Sequence, residues 1–393
     1  MADYLTRVHG SMGDVAPEAW DALLARQSQP TPFMRHAYLA ALESSGSVGP
    51  DSGWVPQILT LHDAQGLAAA CACYIKSHSY GEYVFDWAWA RAYHEHGLAY
   101  YPKGVVAVPF TPVPGSRLLA RDRSARLALV TEVLGWARSH SLSSLHLLFA
   151  STDDMAAATE LGWMARNNVQ FHWTNAPSGF ASFDAFLATL NQEKRKKIRQ
   201  ERRKVADAGV QFEHRQGSQI TPADWEFFYR CYERTYLEHG NAPYLTRSFF
   251  AAMARSMAQH WLLFIGKREG RPIASSLIGL NPGGSVITGS AGSPVAYGRY
   301  WGALERVDCL HFEACYYQPL QLCIEHGYQR FEGGAQGEHK MARALLPTPT
   351  QSAHWLAHPA FARAVSDFLD RETNDVDRYL QHLQERNPLK HSA

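Results

Sequence analysis

The chain repeats itself. From Trp54 it reads WVPQILTLHDAQGLAAACACYIK, two β-rich runs about the turn Asp63-Ala64-Gln65-Gly66. From Trp261 it reads WLLFIGKREGRPIASSLIGL, again two apolar runs, about Arg268-Glu269-Gly270-Arg271. Such runs around a Gly-containing turn are hairpin signals. Each hairpin leads into an aromatic or Gly-rich stretch, then into an expected strand ending in paired tyrosines, Tyr100-Tyr101 and Tyr316-Tyr317. A helix and a short strand follow in both halves: RSARLALVTEVLGWARSH with SSLHLLFA, and LQLCIEHG with YQRFEGG. Hairpin, strand, helix, strand, twice over, predicts a duplicated α/β (α+β) fold with mixed sheets.

Size agrees with two cores. The chain has 393 residues, 46% hydrophobic and 12% aromatic, enough bulk to pack fully. A helical block lies between the repeats. One helix is expected from a cap at Ser182 to Gly209, a second from the cap Thr221 with Pro222 in its first turn, and a third from Thr246. The expected domains are residues 1–180, a basic and helical block at 181–260 belonging partly to the second domain, and 261–393 with the active site. Pro359 to about Arg386 reads as a closing helix. The six cysteines form no CxxC pair, which suits reduced thiols in a cytoplasmic protein. The N-terminus has no apolar signal segment. No window approaches 18 uninterrupted apolar residues, so no membrane span is expected.

Formal net charge is only +1, so any electrostatic function must come from local clustering. Lys194 to Lys204 supplies it: KRKKIRQERRK holds eight basic residues in eleven, with Glu201 the only acid. Leu187, Leu190, Ile198 and Val205 form an apolar stripe beneath. Arg195, Arg199 and Arg202 fall at i, i+4 and i+7, where like charges destabilise a helix. Guanidinium forks that match phosphate oxygens are a reason to keep them, and Lys196 lies among them. The plainer reading is a solvated charged face. A phosphate-rich ligand here could be the diphosphate of coenzyme A, an aminoacyl-tRNA or a nucleotide-linked sugar.

Two polar groups follow in the second half. If Phe312 to Tyr316 is a strand, alternation puts Glu313, Cys315 and Tyr317 on one face with His311, a set able to take and return protons. The alternative is a buried Glu paired with a neighbouring cation. Next, FEGGAQGEHKMAR clusters Glu332, Gln336, Glu338, His339, Lys340 and Arg343 about three glycines, as a ligand loop or as an exposed loop. Elsewhere, Gly115-Ser116-Arg117 before a helix is a weak anion-site signal. His94-Glu95-His96 has no third ligand at metal spacing, and no metal is expected.

Together the segments FDWAWARAY (85–93), GLAYYPKGVVAVPFTPVPGSRLL (97–119), NNVQFHWTN (167–175), FDAFLATLNQEKRKKIRQERRKV (183–205), GSAGSPVAYGRYWG (289–302), LHFEACYYQ (310–318) and FEGGAQGEHKMAR (331–343) resemble the FemAB-like predicted N-acyltransferases of the GNAT superfamily. They run through nearly the whole chain in order. Ala344-Leu345 departs from the Gly and aromatic expected after Arg343. The resemblance implies tandem GNAT folds and transfer of an acyl or aminoacyl group from acyl-CoA or aminoacyl-tRNA to an amine, as Fem-type relatives do to a peptidoglycan precursor. No tightly bound cofactor is implied. The usual Arg-x-x-Gly-x-Gly loop for coenzyme A is missing, and so is the long coiled coil often found where tRNA is recognised.

On that reading Glu313 or His339 deprotonates the amine, directly or through water. Tyr316 or Tyr317 protonates the leaving group. Lys340 or Arg343 steadies the oxyanion or anchors a carboxylate. Arg195, Lys196, Arg199 and Arg202 hold donor phosphates. His311, Gln318, Glu338, Arg343, Asp86 and Trp87 contact substrate, the last two through the FDWAWARAY resemblance. No cysteine nucleophile is expected. The alternative is a catalytically degenerate tandem GNAT that binds RNA or a sugar nucleotide through the basic helix.

Overall fold

The computed structural model describes residues 4–283, 293–335 and 337–390. It divides into two compact units, residues 1–168 with 349–379, and residues 169–348 with 380–393. The division cuts the chain earlier than position 180, leaves the whole basic block in the second unit, and returns residues 349–379 to the first.

The first unit holds β1 (Leu5–His9), β2 (Trp54–Asp63), β3 (Gly66–Lys76), β4 (Lys103–Val106), β5 (Leu119–Ala120), β6 (Ser144–Leu147) and, from Pro349 on, β13 (Leu346–Leu356). Its order is β1-β2-β3-β4-β6-β13, with β5 on β3. Only β4 and β6 run parallel. Helices α1 (Pro17–Ala25), α2 (His36–Ser44), α3 (Trp87–Glu95), α4 (Arg123–Ser139) and α5 (Thr152–Glu160) accompany it. Leu129, Val133 and Ala137 of α4 bury against Leu59, Leu61, Cys71, Cys73 and Leu145 of the sheet, the 3.6-residue face against the 2-residue face.

The second unit repeats this order: β8 (Val210–Gln216), β9 (Trp261–Arg268), β10 (Arg271–Asn281), β11 (Val295–Ala303), β12 (Arg330–Glu332) and, from Val169 on, β7 (Met164–Thr174). Among the described pairs of this unit, β11 and β12 alone run parallel. The two hairpins therefore hold equivalent places, β2-β3 and β9-β10. The last strand of each sheet comes from the other half of the sequence. The second turn closes with Glu269 at φ 53° and Gly270 at φ 74°, the left-handed pair of a tight hairpin.

The helical block is α6 (Phe183–Ala188), α7 (Gln192–Asp207), α8 (Pro222–Glu238) and α9 (Arg247–Ser256). The caps at Ser182, Thr221 and Thr246 accept from the backbone N–H three residues on. The single helix expected from Ser182 is two, because Asn191 caps a fresh start, its Oδ1 3.0 Å from Lys194 N.

The expected strand at 312–316 is helical. α10 (Leu310–Phe312), a π-helical turn (Glu313–Tyr317) and α11 (Gln318–Glu325) follow without a break. Leu310, Glu313, Ala314, Tyr317, Leu320 and Ile324 are buried, a helical period that outweighs the short alternation read from the sequence. The paired tyrosines are thus not equivalent landmarks: Tyr100 and Tyr101 precede β4, whereas Tyr316 and Tyr317 lie in a helix. α12 (Pro359–Glu385) closes the chain. Among the described residues no helix is long and apolar enough to cross a membrane. The turn at Gly115 does not open a helix, since α4 starts only at Arg123 and the Arg117 backbone N–H is taken by Asp154.

Candidate active site

Helix α7 buries Ile198, Glu201 and Val205. Lys196, Lys197, Arg199, Arg203 and Lys204 are exposed, and Arg195 is half-buried. The stripe of three arginines divides by partner. Arg199 reaches Asp184 at 3.3 Å on the surface. Arg202 turns to Glu313, with Nε 3.1 Å from Oε1, and its guanidinium lies 4.8 Å from the Phe183 ring. Arg199, Arg202, Arg203, Phe183, Gln321 and Glu325 line an open cavity of about 580 Å³.

Glu313 is 4% exposed. It accepts from Arg202 and from Gln318 Nε2 at 2.7 Å, so its oxygens are engaged. The same-face argument for His311, Glu313 and Tyr317 falls with the strand. The helix instead turns Tyr316 and His311 toward His339 and Tyr317 toward α7. The π turn is met by Ser276, whose hydroxyl donates to the Ala314 carbonyl. Such turns cluster at functional sites.

The loop after β12 ends in a 3-10 turn, Glu338–Arg343. His339 Nε2 lies 3.2 Å from Tyr316 Oη, and the His339 and His311 rings are 6.4 Å apart. Burial, with Arg343 and Lys340 nearby, holds the His339 imidazole below its ordinary range. Burial takes His311 down to about 4. Both rings are neutral at neutral pH. Lys340, 3% exposed, donates to Gly334 O at 2.9 Å and Ala335 O at 3.3 Å, and burial lowers it to about 8. Arg343 stacks 3.5 Å over Phe312 and donates from Nη1 to His339 O at 2.6 Å. Glu338 pairs with Arg386 at 2.9 Å. Burial raises the Tyr316 and Tyr317 phenols and the Cys315 thiol, which keeps that thiol from being a nucleophile. Gln336 and positions 289–292 lie outside the described residues.

The structure brings His311, Tyr316, His339, Lys340 and Arg343 together. It joins Glu313 to Arg202 instead, with Gln318 donating to the same carboxylate. It places Asp86 and Trp87 in the first unit, in a network that sequence spacing does not show. There Lys103, with no exposed surface, donates to Ser79 at 2.7 Å, Glu82 at 2.8 Å and Asp86. Tyr100 donates to Asp86 at 2.6 Å and meets His146 Nε2 at 3.2 Å. His146 Nδ1 is 2.7 Å from His354 Nδ1. Burial raises Glu82 to about 7 and lowers His146 to about 3. Burial alone would raise Asp86, but the Lys103 ammonium brings it down to about 2. Trp87 stays 39% exposed. A buried Lys with two acids scattered over 21 residues carries no sequence motif.

Solved structures share the fold. FemX aligns at TM-score 0.54 and 10% identity over 93% of this chain and 100% of its own. L-PGS from Bacillus licheniformis aligns at 0.52 and 12% identity, over 90% and 97%. The C-terminal domain of a putative lysylphosphatidylglycerol synthetase from Agrobacterium fabrum aligns at 0.50 and 12%, over 89% and 94%. A search of curated proteins finds no match. Residues 11–391 match the family described as FemAB-like, peptidoglycan biosynthesis/recognition, so the chain belongs to the FemAB-like family.

Proposed function

We propose that the protein is an N-acyltransferase that moves an aminoacyl or acyl group from an activated donor to a primary amine, with its reacting groups in the second unit. The observation that carries this is the His339–Tyr316 contact at 3.2 Å, beside the buried Lys340 ammonium. A neutral imidazole can take the amine's proton as nitrogen attacks the carbonyl carbon. The carbonyl π electrons move to oxygen, and the Lys340 ammonium, with two of its N–H groups on Gly334 O and Ala335 O, is the donor proposed for that oxyanion. As the intermediate collapses, the bond to the leaving oxygen or sulfur breaks. Tyr316 gives that atom a proton and regains one from the imidazolium across the same hydrogen bond. Proton count closes, and no covalent enzyme intermediate is needed.

Glu313 is left a structural role, because its lone pairs are spent on Arg202 and Gln318. The exposed side of α7 and the cavity at Arg199 and Arg203 suit the phosphates of the donor, whether aminoacyl-tRNA or acyl-CoA. The family description favours a peptidoglycan-precursor amine as acceptor. The likeness to a putative lysylphosphatidylglycerol synthetase keeps a lipid headgroup as the second reading. Aminoacyl-tRNA and acyl-CoA, each offered with pooled precursor amines or lipid vesicles, test this by mass spectrometry. An amide product that vanishes in His339→Ala is expected; an ester formed only with lipid vesicles would favour the second reading. Donor binding without turnover in every combination would return the chain to the degenerate binding module.

A further inference from the structure

Helix α7 packs on the positions Ile198, Glu201 and Val205, spaced i, i+3 and i+7. The middle position of an apolar stripe is therefore a carboxylate, 8% exposed, in a run that is otherwise cationic. Burying a charge is costly unless it is paired. Glu201 is paired twice. Arg343 Nη2 lies 3.0 Å from Oε1 and 2.9 Å from Oε2. The Tyr317 hydroxyl donates to Oε2.

These bonds close a ring. Glu201 holds Arg343; Arg343 holds the His339 carbonyl at 2.6 Å; the His339 ring meets Tyr316 at 3.2 Å. Tyr316 is joined by one peptide bond to Tyr317, which returns to Glu201. The ring contains both proton-transfer groups of the proposed reaction, and its only member on the basic helix is Glu201. Phe312 under the guanidinium, at 3.5 Å, fixes the plane of Arg343. A single two-armed acceptor thus sets the spacing between the 3-10 turn that carries His339 and the π turn that carries Tyr316.

We infer that Glu201 is a positioning residue for acyl transfer: through Arg343 and Tyr317 it holds His339 and Tyr316 in register, and it ties that register to the helix that meets the donor's phosphates. This rests on the transfer reading above. Glu201 itself touches no reacting atom. Misplacing a reacting group by about 1 Å can cost on the order of 10²-fold in rate, so the effect should fall on kcat.

The test compares wild type, Glu201→Gln and Glu201→Asp. The first keeps the shape and removes the charge. The second keeps the charge and draws it back by one methylene, which protects the test if the Gln variant does not fold. In both, kcat should fall roughly 10- to 100-fold with donor KM within about twofold. The second readout needs no substrate. In an NMR titration, the His339 imidazole, assigned with His339→Ala and held low by burial and by Arg343, should titrate away from its wild-type value once Arg343 loses the Glu201 anchor. Folded variants with unchanged kcat and an unmoved His339 titration overturn the proposal. If the wild type shows no transfer, the transfer reading fails, and the imidazole titration alone still decides whether Glu201 sets the ring.

Discussion

Arg202 Nε lies 3.1 Å from Glu313 Oε1 and 3.3 Å from Oε2, joining the basic helix to the helical run after β11. Glu313 is buried, and the Arg202 side chain is 27% exposed. Glu313→Ala should therefore cost stability, about 2 to 3 kcal/mol, below a fully buried pair because Arg202 keeps some water. Activity per folded molecule should hold. Thermal melts run beside transfer assays separate the two. A large rate loss at unchanged melting temperature would make Glu313 a reacting group.

The exposed face of α7 should behave as a screened electrostatic site. Lys196→Glu with Arg199→Glu and Arg203→Glu should weaken donor binding at least tenfold while the fold stands, since none of the three is buried. Wild-type affinity should fall with salt, because such attraction is screened over about 8 Å at physiological ionic strength. Calorimetry at two salt concentrations reads both. Unchanged affinity in the triple variant would make the face merely solvated.

Lys340 gives the reaction an alkaline limb. Burial lowers it to about 8, so the ammonium is present below that pH and lost above it. The rate should decline above about pH 8, and Lys340→Ala should cost on the order of 10²-fold, as for a removed oxyanion donor. A pH–rate profile of the wild type against Lys340→Arg, whose charge does not titrate in this range, checks it. A decline of the same midpoint in the Arg variant would assign the limb to another group.

The hairpins were legible because Gly66 and Gly270 punctuate apolar runs of strand length, and the caps at Thr221 and Thr246 because each stands directly before an amphipathic run. Leu310 to Gln318 misled because alternation over so few residues fits a strand as well as one helical turn. Only the longer burial period to Ile324 decides between them. Gly333, Gly334 and Gly337 marked the loop that carries His339 and Lys340, but not the ring through Glu201, whose members span 142 positions between Glu201 and Arg343. Lys103 was invisible for the same reason: its partners meet it through the fold, not through spacing.

In the first unit, stability should depend on the buried Lys76. Burial lowers it from 10.5 to about 7, and its ammonium sits 3.7 Å over the Trp54 ring. Between about pH 7 and 10.5 the unfolded chain binds this proton and the folded chain does not, so this residue makes stability rise with pH across that window. Glu82, raised from 4.5 to about 7, acts below it with the opposite slope. Denaturant titrations of wild type and Lys76→Met should therefore diverge above pH 7, with the variant lacking the rise. Parallel curves would show that Lys76 keeps its proton.

The central claim is that His339 and Tyr316 pass protons in acyl transfer to an amine. The most direct measurement is single-turnover transfer from aminoacyl-tRNA or acyl-CoA to a precursor amine by wild type, His339→Ala and Tyr316→Phe. The predicted result is product from the wild type and a loss of 10²-fold or more in each variant, with donor affinity and melting temperature unchanged. Equal single-turnover rates in all three proteins would contradict it.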